Sequence, residues 1–412
     1  MIYYPLPYAY SVSIGLYIRT GSRFESENNN GLTHVLEHMH FRHLQTMDQD
    51  ELYYKMECIG CVPGGATYKD TMRFYIKVRP QYVFDGLSFF IDILKTDTWP
   101  QEALNLEKKV ILNELLEKKA IATKRPFIDQ VVWKGHPLSN QILGKEENVK
   151  NFSVDDLIKH KKEYFVSNNM VLVLTGKLSE ETIIEINDDF GKVYLEHGER
   201  KKAHIVAPNQ FRRKPDVMFL DCPWDMLDVA ISFDIDLRII SNEEIYMLNA
   251  VLAGGDGSLL PRLIREKLGL TYDIDSIAEI YEDAACVHIE YAVEKKKLYV
   301  SLVSIASVLK EIKHSIDQRE LDRNMNFFSE NFWYTLEDPS ELNLQLGFNA
   351  MESTNWFDIH KKSEIYGLIN KQRLSLVAKT IFVPNNASIT VLGSVSKITK
   401  KEIRRIIKEG LS

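Results

Sequence analysis

The chain has 412 residues, 45% of them hydrophobic and 26% charged, with a formal net charge of −7. That length exceeds one ordinary core and predicts two or more domains of a soluble globular type. The acidic balance, with no dominant Lys/Arg stripe, argues against nucleic acid, and no apolar run reaches the roughly 18 residues of a membrane span.

The N-terminus MIYYPLPYAYSVSIG lacks the basic segment and apolar core of a secretory signal. Four scattered cysteines make no disulfide scaffold, and Cys58-Ile-Gly-Cys61 is a lone Cys-x-x-Cys without the second pair a zinc knuckle needs. A reduced, cytoplasmic setting is the expectation.

Val12 to Ile18 alternates as a strand does. His34-Val-Leu-Glu-His38 then places two imidazoles one helical turn apart on one face, with Glu37 beside them. The order inverts the commoner His-Glu-x-x-His zinc motif and suits metal-assisted hydrolysis, in which the glutamate takes a proton from water. The same residues also read as an amphipathic helix with Leu32, Val35, Leu36 and Met39 inward and the polar side chains solvated. On that reading His40 and His43 make it merely histidine-rich.

Thr71 to Val78 is β-rich, and helices are predicted near 82–95, 100–120 and 153–164. Within 100–120 the apolar residues Leu104, Val110, Ile111, Leu112, Leu115 and Leu116 recur near helical spacing. Glu107 and Glu114, seven apart, project from one side. Glutamates on such a lysine-rich helix ordinarily face solvent. The basic runs Lys159 to Lys162 and Lys295 to Lys297 read as solvated surface.

The chain repeats itself. Phe165 to Ser179 and Phe382 to Ser396 align without gaps at an offset of 217, each with Asn-Asn before an apolar run and Gly after it. In the second half, strands are predicted at Val217–Asp221, Val229–Ile235 and Ala285–Val293, and helices at 242–253, 258–267, 297–313 and 317–333. These predict an α+β fold: two homologous α/β sandwich domains, each a mixed, largely antiparallel sheet with helices on one face. The domains are 1–195 and 216–412, joined by a polar linker, 196–215. At the same offset, His34 falls on Val251 and His38 on Gly255, so the second half has lost the motif.

His34-x-x-Glu37-His38, with Glu114 76 positions later in Val110-Ile-Leu-Asn-Glu114, resembles the pitrilysin/insulinase zinc metallopeptidase family. His136-Pro-Leu, Ile142-Leu-Gly144 and Tyr164 to Gly176 extend the resemblance over nearly the whole chain. It implies that His34, His38 and Glu114 bind one Zn²⁺, that Glu37 is the base, and that Glu107 orients a ligating histidine or the zinc site generally. It implies no role for Glu117. Arg265-Glu-Lys-Leu-Gly-Leu-Thr-Tyr272 resembles the family's Arg…Tyr pair, which would grip substrate carbonyls, Tyr272 steadying the oxyanion. Taken bare, that segment is a helix packed by Ile264 and Leu268 and ended at Gly269, with Arg265 solvated.

Gly64, Gly65, Ala66 and Thr67 stand where the family has a strand that pairs with the substrate backbone, so the resemblance implies that these four bind substrate. Here Gly64-Gly65 replaces the usual Asn-Ala and Met72 a usual Thr, and these glycines also read as a plain hairpin or bulge. A leading strand common in relatives is expected to be absent or abbreviated.

The resemblance therefore implies a metalloendopeptidase whose two halves form half of a clamshell chamber for peptides or unfolded segments. The resemblance also implies pairing, as a homodimer or as a heterodimer with a related subunit. Its task is read as leader removal from a ribosomally made precursor such as a bacteriocin, as general oligopeptide degradation, or as a non-catalytic scaffold of the same fold.

Overall fold

The computed structural model describes residues 1–121, 124–193, 196–203, 216–352 and 365–412. Its first half runs β1 (Ile2–Pro5), β2 (Val12–Ile18), α1 (Leu32–Arg42), β3 (His43–Leu44), β4 (Met47–Asp48), α2 (Gln49–Cys58), β5 (Gly64–Thr67) and β6 (Met72–Val78). There follow α3 (Val83–Lys95), α4 (Gln101–Ile121), α5 (Lys124–Val132), α6 (Glu146–Asn151), α7 (Val154–Tyr164), β7 (Met170–Gly176) and α8 (Glu180–Gly191). The second half has β8 (Asp216–Asp221), β9 (Met226–Ile235), α9 (Asn242–Ala253), a π-helix (Pro261–Lys267), β10 (Ile274–Ile280) and β11 (Ala285–Glu294). It ends with α10 (Leu298–His314), α11 (Gln318–Thr335), α12 (Pro339–Glu352), α13 (Lys371–Ile381), β12 (Ala387–Gly393) and α14 (Lys400–Leu411). The leading strand, expected to be absent or abbreviated, is the four-residue β1, parallel to β7.

Two five-stranded sheets carry the same plan: β1-β7-β2-β6-β5 and, in the same sense, β8-β12-β9-β11-β10. In each, one outer pair is parallel and the rest antiparallel. The repeated segments fill corresponding places. Asn169 Nδ2 donates to the carbonyls of Arg19 and Tyr164 (2.9 and 2.8 Å), and Asn386 Nδ2 to those of Asp234 and Ile381 (2.8 and 2.9 Å).

The compact units do not follow the chain halves. One comprises the described parts of 1–122, 140–203 and 332–357, the other those of 123–139, 204–331 and 358–412. Each half lends a helix to the other's sheet. In the first unit Val12, Ile14, Leu16 and Ile18 face the helical core, while Ser13, Gly15 and Tyr17 face α12. There Asn343 accepts from the Tyr17 hydroxyl at 2.9 Å and donates to the Ser13 and Val173 carbonyls at 3.1 and 2.9 Å. In the second unit α5 covers Ala230 and Cys286 with Ile128 and Val132, and Arg125 reaches Glu279 and Glu290 at 2.6 and 2.7 Å. Helices therefore cover both faces of each sheet, the second face by exchange. Most of the expected linker, residues 204–215, lies outside the described residues. Its first part belongs to the first unit, where Lys201 N donates to Asn169 Oδ1 at 2.9 Å.

One basic run is surface only in part, with Lys159 and Lys162 exposed. His160 and Lys161 are buried, at 4% and 7% exposure. The Lys161 ammonium donates to the carbonyls of Ile93, Leu94 and Thr96, which close the C-terminal end of α3, a position where a cation is favoured. By contrast, Lys295–Lys297 lies at the surface, Lys296 and Lys297 paired to Glu294 and Lys295 donating to Ser396 Oγ. Cys58 and Cys61 are free thiols on a helix stop: Gly60 turns left-handed (φ 70°) and the Cys61 amide donates back to the Met56 carbonyl at 3.0 Å. Replacing Lys161 by Met strands three carbonyls and is expected to cost roughly 3 kcal/mol. A shift of the urea midpoint checks this; no shift would return Lys161 to the surface class.

Candidate metal centre

Helix α1 begins where the chain can only turn as glycine does. Gly31 has φ 102°, and a β-carbon there would lie 2.8 Å from the Gly144 Cα. No adjacent side chain caps the helix. Glu25, only 5% exposed, does so from upstream: it accepts from the amides of Gly31 and Thr33, both at 2.7 Å, and from Asn30 Nδ2 at 2.9 Å. Burial pushes its carboxyl up, and those hydrogen bonds pull against the shift. His160 secures the same turn through Thr33 Oγ1 at 2.9 Å; burial and the Lys201 charge drive its pKa down to about 3, so the ring is neutral.

The amphipathic alternative for α1 covers half of its surroundings. Leu32, Val35, Leu36 and Met39 are buried, but so are His34 and Glu37, each 7% exposed. His40 is fully buried among Phe74, Trp99 and Phe165 and serves the core. Helix α4 presents Leu104, Glu107, Ile111 and Leu115 inward, whereas Val110 and Leu116 are exposed, contrary to the apolar spacing. Glu117 is exposed. The lysine-rich helix therefore turns its Glu107–Glu114 side towards α1, not towards water.

This packing brings three donors together. The Nε2 atoms of His34 and His38 each lie 3.8 Å from Glu114 Oε2, and one ligand atom from each residue falls within 4.8 Å of the others. Donors about 2.1 Å from a tetrahedral ion stand about 3.4 Å apart, so two imidazoles and a carboxylate at this spacing fit zinc with a fourth position open. Among the described residues no other group of His, Cys, Asp and Glu has such a geometry. Glu107 Oε1 lies 2.8 Å from His38 Nδ1. That bond assigns the proton to Nδ1 and leaves the Nε2 lone pair for a metal. Burial opposes protonation of His38, but the bond to Glu107 and the charges of Glu37, Glu107 and Glu114 outweigh it and raise the pKa. For Glu107 burial acts upward, and the bonds from His38 and Arg42 hold the carboxyl below its usual range.

Glu37 sits against β5, the outermost strand of its sheet. Thr67 Oγ1 donates to Glu37 Oε2 at 2.6 Å, so this strand residue orients the expected base. Gly65 makes room for the pair: a β-carbon there would lie 2.6 Å from Glu37 Oε1 and 2.6 Å from the Phe41 ring. At Gly64 the space is filled by the Tyr75 ring. Gly64 to Thr67 form a regular strand paired with β6, which sets aside the bulge alternative. Beside Glu37 and His38 opens a cavity of about 340 Å³ walled by Phe41, Tyr53, Pro63, Gly65 and Val110 together with Arg42, Gln49 and Glu107.

The four residues expected to bind substrate therefore present different faces of the strand. Strand alternation sets Gly65 and Thr67 on the Glu37 side and turns Ala66 with Gly64 to the other face. Ala66 is half-buried, lies opposite Arg73 in the β5–β6 register, and is not brought to the cavity. What Ala66 can offer a substrate is its main chain, not its methyl.

In the other unit, Arg265 lies on the π-helix and Tyr272 in the loop before β10. The guanidinium stands 5.6 Å from the Tyr272 ring centroid and pairs with Asp256 at 2.9 Å. Tyr272 is 87% exposed. Ile264 packs as the bare helix reading requires, but Leu268 is exposed and Arg265 is held, not free. Glu25, Arg42 and the Thr67–Glu37 bond were absent from the sequence reading. Helix-cap rules look at the adjoining residue, not six positions upstream.

Family models match most of the chain: "Insulinase (Peptidase family M16)" over residues 1–146 and "Peptidase M16 inactive domain" over 151–327. The chain is 25% identical over 389 residues to the uncharacterized zinc protease YmxG of Bacillus subtilis, covering 92% of this chain and 93% of that one. It is 31% identical over 230 residues to a probable mitochondrial-processing peptidase subunit beta of Arabidopsis thaliana, covering 55% and 43%. Among solved structures, a peptidase M16 inactive domain from Pseudomonas fluorescens superposes with TM-score 0.85 at 17% identity over 95% of both chains. A Helicobacter pylori protease gives 0.83 at 18% identity over 95% and 96%.

Glu25→Ala removes the acceptor of three buried donors and is expected to cost about 2 kcal/mol or more. Loosening the turn that carries His34 should also weaken metal binding. Thermal melts of the metal-free protein check the first effect and chelator competition the second; unchanged melts would show that Glu25 does not hold α1.

Proposed function

This chain belongs to the insulinase family of peptidases, peptidase family M16, and we propose that it is a zinc-dependent metalloendopeptidase acting on peptides or unfolded segments. The convergence of His34, His38 and Glu114 beside a Glu37 held by Thr67 carries this reading. Zinc, when bound, supplies a Lewis acid that polarises the scissile carbonyl and lowers the pKa of water towards about 7. Glu37 takes a proton from the attacking water and returns it to the leaving amine, and Thr67 fixes which carboxylate oxygen faces the reaction. Glu107 keeps His38 in the tautomer that can ligate.

On the substrate side, β5 is paired on one edge only among the described residues, and its other edge can take an extended peptide through main-chain hydrogen bonds. Gly64, Gly65, Ala66 and Thr67 would serve there through their backbone. The cavity beside Glu37 is walled by Phe41, Tyr53, Pro63 and Val110 and equally by Arg42, Gln49 and Glu107, so it offers a substrate side chain both apolar and polar contacts. Arg265 and Tyr272 offer a guanidinium and a phenol for substrate carbonyls, Tyr272 donating to the developing oxyanion. The exposure of Tyr272 and its stacking on Arg265 support this role.

The narrower substrate we propose is a ribosomally made precursor from which a leader is removed. Gly64-Gly65 in place of a side-chain amide supports a groove read by backbone and pocket. The relatives named as beta subunits support pairing with a second subunit. The intact donor set weighs against a scaffold-only role.

Glu37→Gln is expected to retain zinc and lose roughly 10²–10⁴-fold in hydrolysis of a quenched fluorescent peptide, whereas His34→Ala loses both. Metal analysis with the peptide assay decides this, and retained hydrolysis in Glu37→Gln would overturn the mechanism. Arg265→Ala and Tyr272→Phe should lower kcat/KM by roughly 10²-fold at unchanged metal content. Wild-type kinetics in both would leave the pair a structural feature of the π-helix.

A further inference from the structure

We propose that Arg42 is a positioning residue for the metal centre, acting through Glu107 on His38. Arg42 lies one turn beyond His38 on α1, on the side that meets α4. Its Nε donates to Glu107 Oε2, and its Nη1 to Gln49 Oε1 at 2.6 Å. Glu107 divides its two oxygens, Oε1 to His38 Nδ1 at 2.8 Å and Oε2 to Arg42. A chain thus runs from Gln49 at the start of α2 through Arg42 and Glu107 to a metal-donor histidine.

Each link limits the next. A buried carboxylate with one oxygen unengaged can rotate about its terminal bond and offer either oxygen to the imidazole. The planar guanidinium, fixed at its far end by Gln49, holds the plane of Glu107 so that Oε1 stays on Nδ1. Charge points the same way. Glu37, Glu107 and Glu114 crowd the centre with three negative charges. A dication balances two, and Arg42 supplies the third.

The inference rests on the proposed ligand set, so its test reads metal affinity and not hydrolysis. Zinc dissociation constants would be measured by competition with a chromophoric chelator for the full chain and for Arg42→Ala, Arg42→Lys and Gln49→Ala. Cobalt(II) absorption would report ligand geometry. Arg42→Ala is expected to raise the zinc Kd about 10–100-fold and to alter the cobalt spectrum. Arg42→Lys, keeping the charge without the fork, should recover only part of the affinity, and Gln49→Ala should give a smaller rise. Wild-type affinity and spectrum in folded Arg42→Ala would overturn the proposal. If Arg42→Ala does not fold, wild-type affinity and spectrum in both Arg42→Lys and Gln49→Ala would do so. Failure of the unmodified chain to bind zinc would instead overturn the ligand assignment.

Discussion

A helix bearing three histidines, a glutamate and an arginine is buried between a sheet and a second helix, and most of the polar groups on it are matched. That matching organises the first unit. Glu25 closes the amides at the start of α1, and His160 holds Thr33. Glu107 serves His38 and Arg42 together, while Thr67 reaches across from the edge strand to Glu37. An unmatched polar group in such a place costs on the order of 1–3 kcal/mol, comparable to the burial of a whole apolar side chain. The packing that stabilises α1 and the geometry that offers a metal site are thus one set of contacts.

The duplicated architecture shows what remains when those demands are lifted. The second sheet repeats the strand order of the first, and the second asparagine of each repeat makes the corresponding pair of carbonyl contacts. Where α1 carries His34 and His38, the second half has Val251 and Gly255, and its helix α9 is plain core. Exchange of α5 and α12 covers the remaining face of each sheet. It explains why Ser13, Gly15 and Tyr17 can be as inaccessible as the apolar residues between them: Gly15 admits Asn343, and Tyr17 bonds to it.

The edge strand joins fold to chemistry. β5 is outermost in its sheet and presses Gly65 against Glu37 and Phe41, so close that a β-carbon would displace one of them. A strand edge of this kind, unpaired among the described residues, is one to which an extended peptide can add through main-chain hydrogen bonds. Positions 64 and 65 carry no side chain, and strand alternation turns the Ala66 methyl to the face away from Glu37.

The sequence by itself determined the elements and the donor chemistry. Period-two and period-3.6 patterns marked β2, β6, α1, α3, α4, α7, α9, α10 and α11, because local spacing alone decides which residues share a face. The His-x-x-Glu-His spacing likewise put two imidazoles on one helical face. Tertiary structure alone decided which way those faces turn. Glu107 and Glu114 read as solvated until α4 packs them on α1, and Lys161 read as surface until the end of α3 closes over it. Glu25, Arg42, Thr67 and the exchanged α12 act at separations that no periodicity encodes. Their partners are chosen by the need to match buried polar groups, and that need exists only once the layers have come together.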